Sequence, residues 1–157
     1  MQIRLHKSSD YPSIAELRWL LKTDDGRASA DQSKSEFIER YHRHLELSDR
    51  DGHTVHWLIE DDGVIGGVMT VRIVQKEPSP IDETASWGYL TNCYVVPEER
   101  NNGLGTKLLA SIESWGASLG LELLIVWPSE ASYPFYRRAG FKGRDDPLEL
   151  ALNPDRD

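Results

Sequence analysis

The stretch Glu99-Arg-Asn-Asn-Gly-Leu-Gly-Thr-Lys-Leu-Leu109 places two glycines where an amphipathic helix begins. A glycine inside a helix costs roughly 0.5–1 kcal/mol relative to alanine, so Gly103 and Gly105 need a compensating reason to be there. A helix N-terminus presents N–H groups that lack partners and carry partial positive charge. Because residues without a Cβ let a ligand approach these groups, the stretch predicts a phosphate or pyrophosphate site, to which Thr106 adds a hydroxyl and Arg100 a cation.

The segments on both sides of this stretch predict a strand, a helix and a second strand. Trp87–Val96 is rich in Tyr, Thr and Val, as strands are, and Pro97 ends it. Apolar residues then recur at helical spacing as far as Leu119, and Gly120 closes the helix. The apolar run Leu121–Trp127 predicts a buried strand. A crossover of this kind predicts that the two strands are parallel.

The rest of the chain adds elements on both sides of this crossover. Before it, we expect a strand over Ile3–His6, followed by helices around Ile14 and Tyr41 that are joined by the polar segment Thr23–Ser33. We then expect a hairpin whose strands are His53–Glu60 and Val64–Val74 and whose turn is Asp61-Asp62-Gly63. The loop Lys76–Ser86 leads into the crossover. After it come a short helix near Ser132–Ala139 and a closing strand with Leu148, Leu150 and Leu152. The order β-α-α-β-β-β-α-β-α-β predicts an α/β (α+β) fold of one domain over residues 1–157.

Composition and charge narrow the class of protein. A chain of 157 residues is long enough to bury a core, and its single cysteine, Cys93, excludes an intramolecular disulfide. No apolar run has the length of a signal peptide or a membrane span, so we expect a cytoplasmic protein without a membrane partner. The net charge of −8, with no basic block, opposes nucleic-acid binding and mildly favours a cationic substrate such as an amine. The five histidines show no metal-ligand constellation, so we expect no metal.

Three known loops bind phosphate groups at a helix N-terminus. A P-loop requires G-x-x-x-x-G-K-[ST], which fails because Thr106 precedes Lys107 and no glycine occupies the required upstream position. A dinucleotide fingerprint begins at Gly103 but places Leu108 at its third small position, so this interpretation is weak. The acyl-coenzyme A loop, [RQ]-x-x-G-x-[GA], fits Arg100–Gly105 at every fixed position. Six residues alone are only suggestive, and their context decides.

Two separate motifs supply that context. Cys93–Gly105, CYVVPEERNNGLG, resembles the strand, Pro-Glu turn and glycine loop of the GNAT superfamily of N-acetyltransferases. Phe135–Phe141, FYRRAGF, resembles the second signature of the same family, and the order of elements over the chain is similar to the family's fold. The resemblance implies a GNAT-like fold, with a single mixed β-sheet that is splayed at its centre and flanked by helices.

The resemblance also implies how acetyl-CoA, the co-substrate, would bind. In that family the strand before the loop carries a bulge and diverges from the next strand, and the pantetheine arm enters the opening. Main-chain groups of Cys93, Tyr94 and Val95 would then contact the pantetheine and the acetyl carbonyl. The glycine loop would hold the pyrophosphate, through Arg100, Asn101, Asn102, Gly103, Leu104, Gly105 and Thr106. Ser129 stands where many members have an Asn near the coenzyme, and we expect it to make a lesser contact.

Tyr136 matches the tyrosine that, in the family, donates a proton to the departing thiolate. A phenol with a pKa near 10 is protonated at neutral pH and is therefore available as an acid. Cys93 would suit an acyl-cysteine mechanism, but no histidine stands beside it in the motif. The general base stays unassigned, because no acid lies within Tyr89–Asn92. Candidates that approach from neighbouring segments are Glu83, His56 and Glu60.

The leading hypothesis is direct transfer of acetyl from acetyl-CoA to a primary amine in a ternary complex. The alternatives are a non-catalytic module that binds acyl-CoA as a sensor or scaffold, and a nucleotide-binding domain that depends on the GxG pattern alone. The acceptor wall is expected from Thr23–Ser33, the second helix and Lys76–Ser86, where the sequence contains no recognisable specificity code. Asp24 and Asp25 in the first of these segments would suit a cation, but the safer interpretation is that they are solvated loop acids. A homodimer through the last strand is compatible with the sequence.

Overall fold

The computed structural model of the chain describes residues 1–24, 33–81 and 85–143. Contacts divide the chain into two compact units, Met1–Trp127 and a smaller one that begins at Pro128. The predicted closing strand with Leu148, Leu150 and Leu152 lies outside the described residues, as does Glu83. The single domain over residues 1–157 stays a prediction.

The larger unit contains a five-stranded mixed sheet whose strands follow chain order. Its strands are β1 (Gln2–Leu5), β2 (Thr54–Asp61), β3 (Val64–Gln75), β4 (Ser86–Val95) and β5 (Leu124–Val126). Neighbouring strands from β1 to β4 are antiparallel, whereas β4 and β5 are parallel. The mixed sheet and the predicted crossover are therefore confirmed.

The described residues of the larger unit contain three α-helices, α1 (Tyr11–Thr23), α2 (Lys34–Asp51) and α3 (Leu104–Ser118), and those of the smaller unit contain α4 (Tyr133–Arg138). Local sequence sets the ends of α2. The Ser33 hydroxyl accepts a hydrogen bond from the Glu36 N–H, the Glu36 carboxylate accepts one from the Ser33 N–H, and Gly52 ends the helix with a φ of 69°. None of the described helices combines the length and the apolar character that crossing a bilayer requires.

Apolar side chains cover both faces of the sheet. Leu58 and Val68 pack in one buried cluster with Ile14 of α1 and Leu45 of α2. Successive residues on a strand point to opposite faces, so Trp57 lies on the other side, where its ring meets that of Trp115 on α3 at 6.2 Å. The face that carries Leu58 therefore packs against α1 and α2, and the opposite face packs against α3.

The predicted boundaries differ from the observed ones mainly at the last strand of the crossover. Ladder pairing is limited to Leu124–Val126 instead of Leu121–Trp127. The Leu121 N–H donates to the Gly116 carbonyl at 3.0 Å, because the chain is still turning away from the end of α3. The first strand ends at Leu5, one residue earlier than expected, although the His6 N–H still donates to the His56 carbonyl at 2.9 Å.

Candidate active site

The parallel strands β4 and β5 pair over only three residues. Gly88 pairs with Leu124, and the last pair joins Leu90 to Val126, whereas β4 continues to Val95. The second half of β4 therefore presents an edge that β5 does not pair. An extended ligand with amide groups can bind such an edge as an additional strand does.

A bulge lies at the start of this unpaired half. Thr91 pairs with Thr70 and Tyr94 pairs with Val68, so two residues of β4 face the single residue between their partners on β3. The first of the two, Asn92, has a φ of 50°, in the left-handed region that asparagine tolerates better than most residues. Because a bulge leaves one residue out of the ladder, main-chain groups become available to a ligand. Cys93, the second bulge residue, precedes the other two positions predicted to contact pantetheine.

The glycine loop connects β4 to α3. A short turn over Pro97–Glu99 is followed by two left-handed residues, Asn101 with a φ of 64° and Gly103 with a φ of 73°. Gly103 is the N-cap of α3 and has no side chain to cap the helix, and its carbonyl accepts the first helical bond, from the Lys107 N–H at 3.1 Å. The N–H groups of Leu104–Thr106 have no partner within the helix, and a Cβ on Gly103 would meet no atom within 4 Å. This open helix N-terminus fits a pyrophosphate.

Arg100 joins the glycine loop to β4 instead of lying free beside it. Its Nε donates to the Val95 carbonyl at 2.8 Å, and its guanidinium lies 5.2 Å from the centre of the Tyr94 ring. A guanidinium nitrogen is also 3.5 Å from a carboxylate oxygen of Asp24, at the end of α1. The cation predicted for the anion site is therefore part of the contact that fixes the loop to its strand.

Tyr94 ties the end of α1 to the bulged strand. Its ring is buried in the α1–α2 cluster, and its hydroxyl donates to the Asp24 carboxylate. Burial, together with the hydrogen bond and the charge of Asp24, raises the pKa of Tyr94 to about 12, against the opposing charge of Arg100. Asp24, whose safer interpretation from the sequence was a solvated acid, is instead a partner of both residues, and no local sequence signal indicated it.

The other two predicted site residues belong to the smaller unit. Tyr136 is buried on α4, and its ring meets those of Phe135 and Phe141 edge-on, with centroids 4.9 and 5.4 Å apart. The Phe141 N–H donates to the Tyr136 carbonyl at 3.0 Å, across the turn where Gly140 has a φ of 92°. The Ser129 hydroxyl donates to that of Ser132 at 3.1 Å. The aromatic motif thus encloses Tyr136 between its two neighbours.

The candidate bases have different surroundings. Glu60 accepts a hydrogen bond from the Arg4 Nε at 2.5 Å, on the β1 side of the sheet. His56 is buried on β2, and burial, with the nearby His6, lowers its pKa to about 4. A general base works best when its pKa lies near the operating pH, so His56 does not have the surroundings of a good base, and the Glu60 carboxylate is engaged by Arg4. Among the described residues, no group of three or more His, Cys, Asp or Glu is arranged to hold a metal ion.

Comparison with known proteins gives a family for these motifs. A sequence model described as the Acetyltransferase (GNAT) family matches residues 12–141. This range includes the bulged strand, the glycine loop and the aromatic motif. No match was found among curated protein sequences.

Solved structures share the fold at low sequence identity. A predicted acetyltransferase from Clostridium acetobutylicum, solved with acetyl-CoA, has a TM-score of 0.80 and 22% identity, over 96% of each chain. Glucosamine-6-phosphate N-acetyltransferase from Arabidopsis thaliana has a TM-score of 0.69 and 21% identity, over 97% of this chain and 98% of its own. An aminoglycoside 6'-N-acetyltransferase from Acinetobacter haemolyticus has a TM-score of 0.70 and 17% identity, over 99% of this chain and 100% of its own.

Proposed function

Because this chain belongs to the GNAT family of acetyltransferases, we propose that it transfers acetyl from acetyl-CoA to a primary amine in a ternary complex. The observation that carries the proposal is that an unpaired strand edge and an uncapped helix N-terminus follow one another along the chain. β4 is unpaired by β5 beyond Leu90, and the helix N-terminus after Gly103 lacks a side-chain cap. Coenzyme A has an amide-bearing arm, which matches the strand edge, and a pyrophosphate, which matches the helix N-terminus.

The proposed roles of the binding residues follow from these features. Main-chain groups of Cys93–Val95 hold the pantetheine arm and the acyl carbonyl, and N–H groups of Asn101–Thr106 hold the pyrophosphate. Arg100 keeps the loop against β4 through its contact with the Val95 carbonyl. Ser129 is a further proposed contact. Support comes from the Clostridium acetobutylicum structure, which contains acetyl-CoA on the same fold.

In the proposed reaction the amine nitrogen attacks the thioester carbonyl carbon, the new C–N bond forms and the C–S bond breaks. A fixed main-chain N–H at the bulge stabilises the negative charge that develops on the carbonyl oxygen. The Tyr136 hydroxyl donates its proton to the departing sulfur, the attacking nitrogen releases one proton to solvent, and solvent returns a proton to the Tyr136 phenolate, so that protons balance over the cycle. Two proteins that share the fold are named as N-acetyltransferases, one of glucosamine-6-phosphate and one of aminoglycosides, which supports an amine acceptor.

The deciding experiment measures free-thiol release from acetyl-CoA over a panel of polyamines, aminoglycosides, amino sugars, amino acids and peptides. Tyr136→Phe is expected to lower kcat by about 10²–10⁴-fold, while the Kd for acetyl-CoA changes less than twofold, because only proton transfer is removed. Tyr133→Phe is the matched control, since Tyr133 lies on the same helix and is about half exposed. Unchanged turnover of Tyr136→Phe at every pH contradicts the acid role.

Calorimetric titration with acetyl-CoA separates transfer from the sensor alternative. Binding without thiol release over the whole panel would favour a non-catalytic acyl-CoA module. Binding of ATP or NAD but not of coenzyme A would favour a nucleotide-binding domain.

The single cysteine supports a location in the cytoplasm, which cell fractionation tests.

A further inference from the structure

A row of polar side chains runs beneath the β4 bulge, on the sheet face that packs against α1 and α2. His56 on β2 pairs with Thr70 on β3, and Thr70 pairs with the residue before Asn92 on β4. The Thr70 hydroxyl is 2.8 Å from the Nδ1 atom of His56, and it accepts a hydrogen bond from the Asn92 side-chain amide at 3.3 Å. At the other end, His6 lies 2.8 Å from a carboxylate oxygen of Asp49 on α2.

The proton positions in this row follow from which groups are able to donate. The His56 main-chain N–H donates to Nδ1 of His6 at 3.3 Å, so the His6 proton resides on Nε2 and is donated to Asp49. Thr70 accepts a hydrogen bond from the Asn92 amide, which orients that amide. The Thr70 oxygen lies 2.8 Å from His56 Nδ1, and the tautomer of His56 decides which of these two atoms donates.

The row is buried, and two of its atoms lack partners. His56 is 2% exposed, Thr70 4% and Asn92 6%. Within the described part of the chain, the Nε2 atom of His56 and the Oδ1 atom of Asn92 have no hydrogen-bond partner. An apolar row would avoid the cost of burying these atoms, so hydrophobic packing does not account for this choice of residues. Because neither atom is accessible, an effect of the row on a ligand has to pass through the backbone that the row holds.

Resting on the proposed acetyl transfer, we propose that Thr70 and His56 are positioning residues that hold Asn92, and with it the bulge of β4. Asn92 occupies a left-handed conformation that its own backbone does not favour. The hydrogen bond from its side chain to Thr70 fixes that conformation from beneath. The residues that follow, Cys93 and Tyr94, supply the main-chain groups proposed to receive the acyl carbonyl.

Small displacements at this point have large effects on rate. An oxyanion is stabilised only by donors in hydrogen-bond contact with it, and a misplacement of about 1 Å can cost on the order of 100-fold in rate. The bulge has no ladder partner for one of its residues, so the sheet alone does not set its geometry. Thr70 supplies the missing constraint, and His56 orients the Thr70 hydroxyl.

The test compares Thr70→Val with Thr54→Val as a matched control. Thr54 is a second buried threonine of the same sheet, and its hydroxyl has no hydrogen-bond partner in the described residues. Thr70→Val is expected to lower kcat by roughly 10- to 100-fold with the Kd for acetyl-CoA changed less than twofold, because the bulge moves while the glycine loop does not. Thr70→Ser, which keeps the hydroxyl, restores most of kcat. Equal kcat values for Thr70→Val and Thr54→Val would overturn the proposal.

Asn92→Gly provides a second test if Thr70→Val does not fold. Glycine adopts a φ of 50° without strain but lacks the amide that bonds to Thr70. The expected result is a similar loss of kcat, and wild-type kcat would contradict the role of the side-chain bond. Amide hydrogen exchange at residues 92–95, faster in both variants than in wild type, is independent of activity. Unchanged exchange rates refute the positioning role, whereas faster exchange without any thiol release in wild type refutes only the acetyl-transfer proposal.

Discussion

The pKa of His56 offers a direct measurement of how protein stability depends on the charge of the buried polar row. The fold lowers its pKa from 6.5 to about 4, chiefly by burial and further through His6 and His44, while Asp49 opposes the shift. Tyr11, which packs near His6, donates its hydroxyl to the same Asp49 carboxylate. His56→Asn removes the titrating ring and places an amide near the position of Nδ1, within reach of Thr70.

The sign follows from proton binding in the two states. The unfolded chain protonates His56 as the pH falls through 6.5, whereas the folded chain does so only near pH 4. Between these values the unfolded state binds more protons, so stability is greatest above pH 6.5 and decreases as the pH falls. From these two pKa values, His56 lowers the free energy of unfolding by about 2 kcal/mol between pH 7 and pH 5, and by about 3 kcal/mol below pH 4.

The assay is urea unfolding of wild type and His56→Asn at pH 7 and at pH 5. Wild type is expected to lose about 2 kcal/mol more than the variant on acidification, because carboxyl groups that titrate in both proteins cancel in the comparison. Ile59→Val, a buried change on the same strand, costs roughly 1 kcal/mol at both pH values and controls for destabilisation without titration. Parallel losses in wild type and His56→Asn would refute the assignment of His56 as a buried neutral imidazole.

Three further predictions concern the loop and the bulged strand. Gly103→Ala costs about 1–2 kcal/mol of stability in thermal unfolding, because the φ of Gly103 is 73°. Gly105→Ala, inside α3, gains up to about 1 kcal/mol of stability and still weakens acetyl-CoA binding in calorimetry. An unchanged affinity of Gly105→Ala for acetyl-CoA would contradict the proposed pyrophosphate site. Tyr94→Phe lowers the free energy of unfolding by about 1–3 kcal/mol in urea, because Asp24 loses a donor, and a neutral result would contradict that bond. Gly88→Ala costs about 1–3 kcal/mol in the same assay, because a Cβ would lie 2.6 Å from a leucine of β5; wild-type stability would show that this contact relaxes freely.

Local sequence patterns were sufficient to predict those elements whose structure depends on a single segment of the chain. Apolar spacing located the helices of the larger unit, and Pro97 and the glycine loop marked the passage from β4 to α3, which the structure confirms at Leu104. The crossover rule gave the parallel pairing of β4 with β5. The predicted length of β5 was wrong, because an apolar run does not show how many of its residues find a ladder partner.

Contacts between distant segments could not be predicted in this way. Asp24 and Tyr94 are 70 residues apart, and their bond exists because the end of α1 packs over β4. A polar residue in a loop has the same local sequence whether it faces water or a partner, so the local sequence contained no signal against the interpretation of Asp24 as a solvated acid. The role of Arg100 changed for the same reason, since its contact with Asp24 depends on that packing.

By itself, the sequence indicated the family through two motifs that resemble its signatures, and it indicated the order of the elements as far as α4, because apolar periodicity and turn residues act within a few residues of chain. The anion site at the helix N-terminus after Gly103 stays a prediction. The tertiary structure alone decided that β4 leaves β5 after Leu90, that Asn92 occupies a bulge, and that Thr70 and His56 lie beneath it. Strand register determines which side chains become neighbours across a sheet. Register is set by the packing of whole faces, which no single segment of the sequence contains.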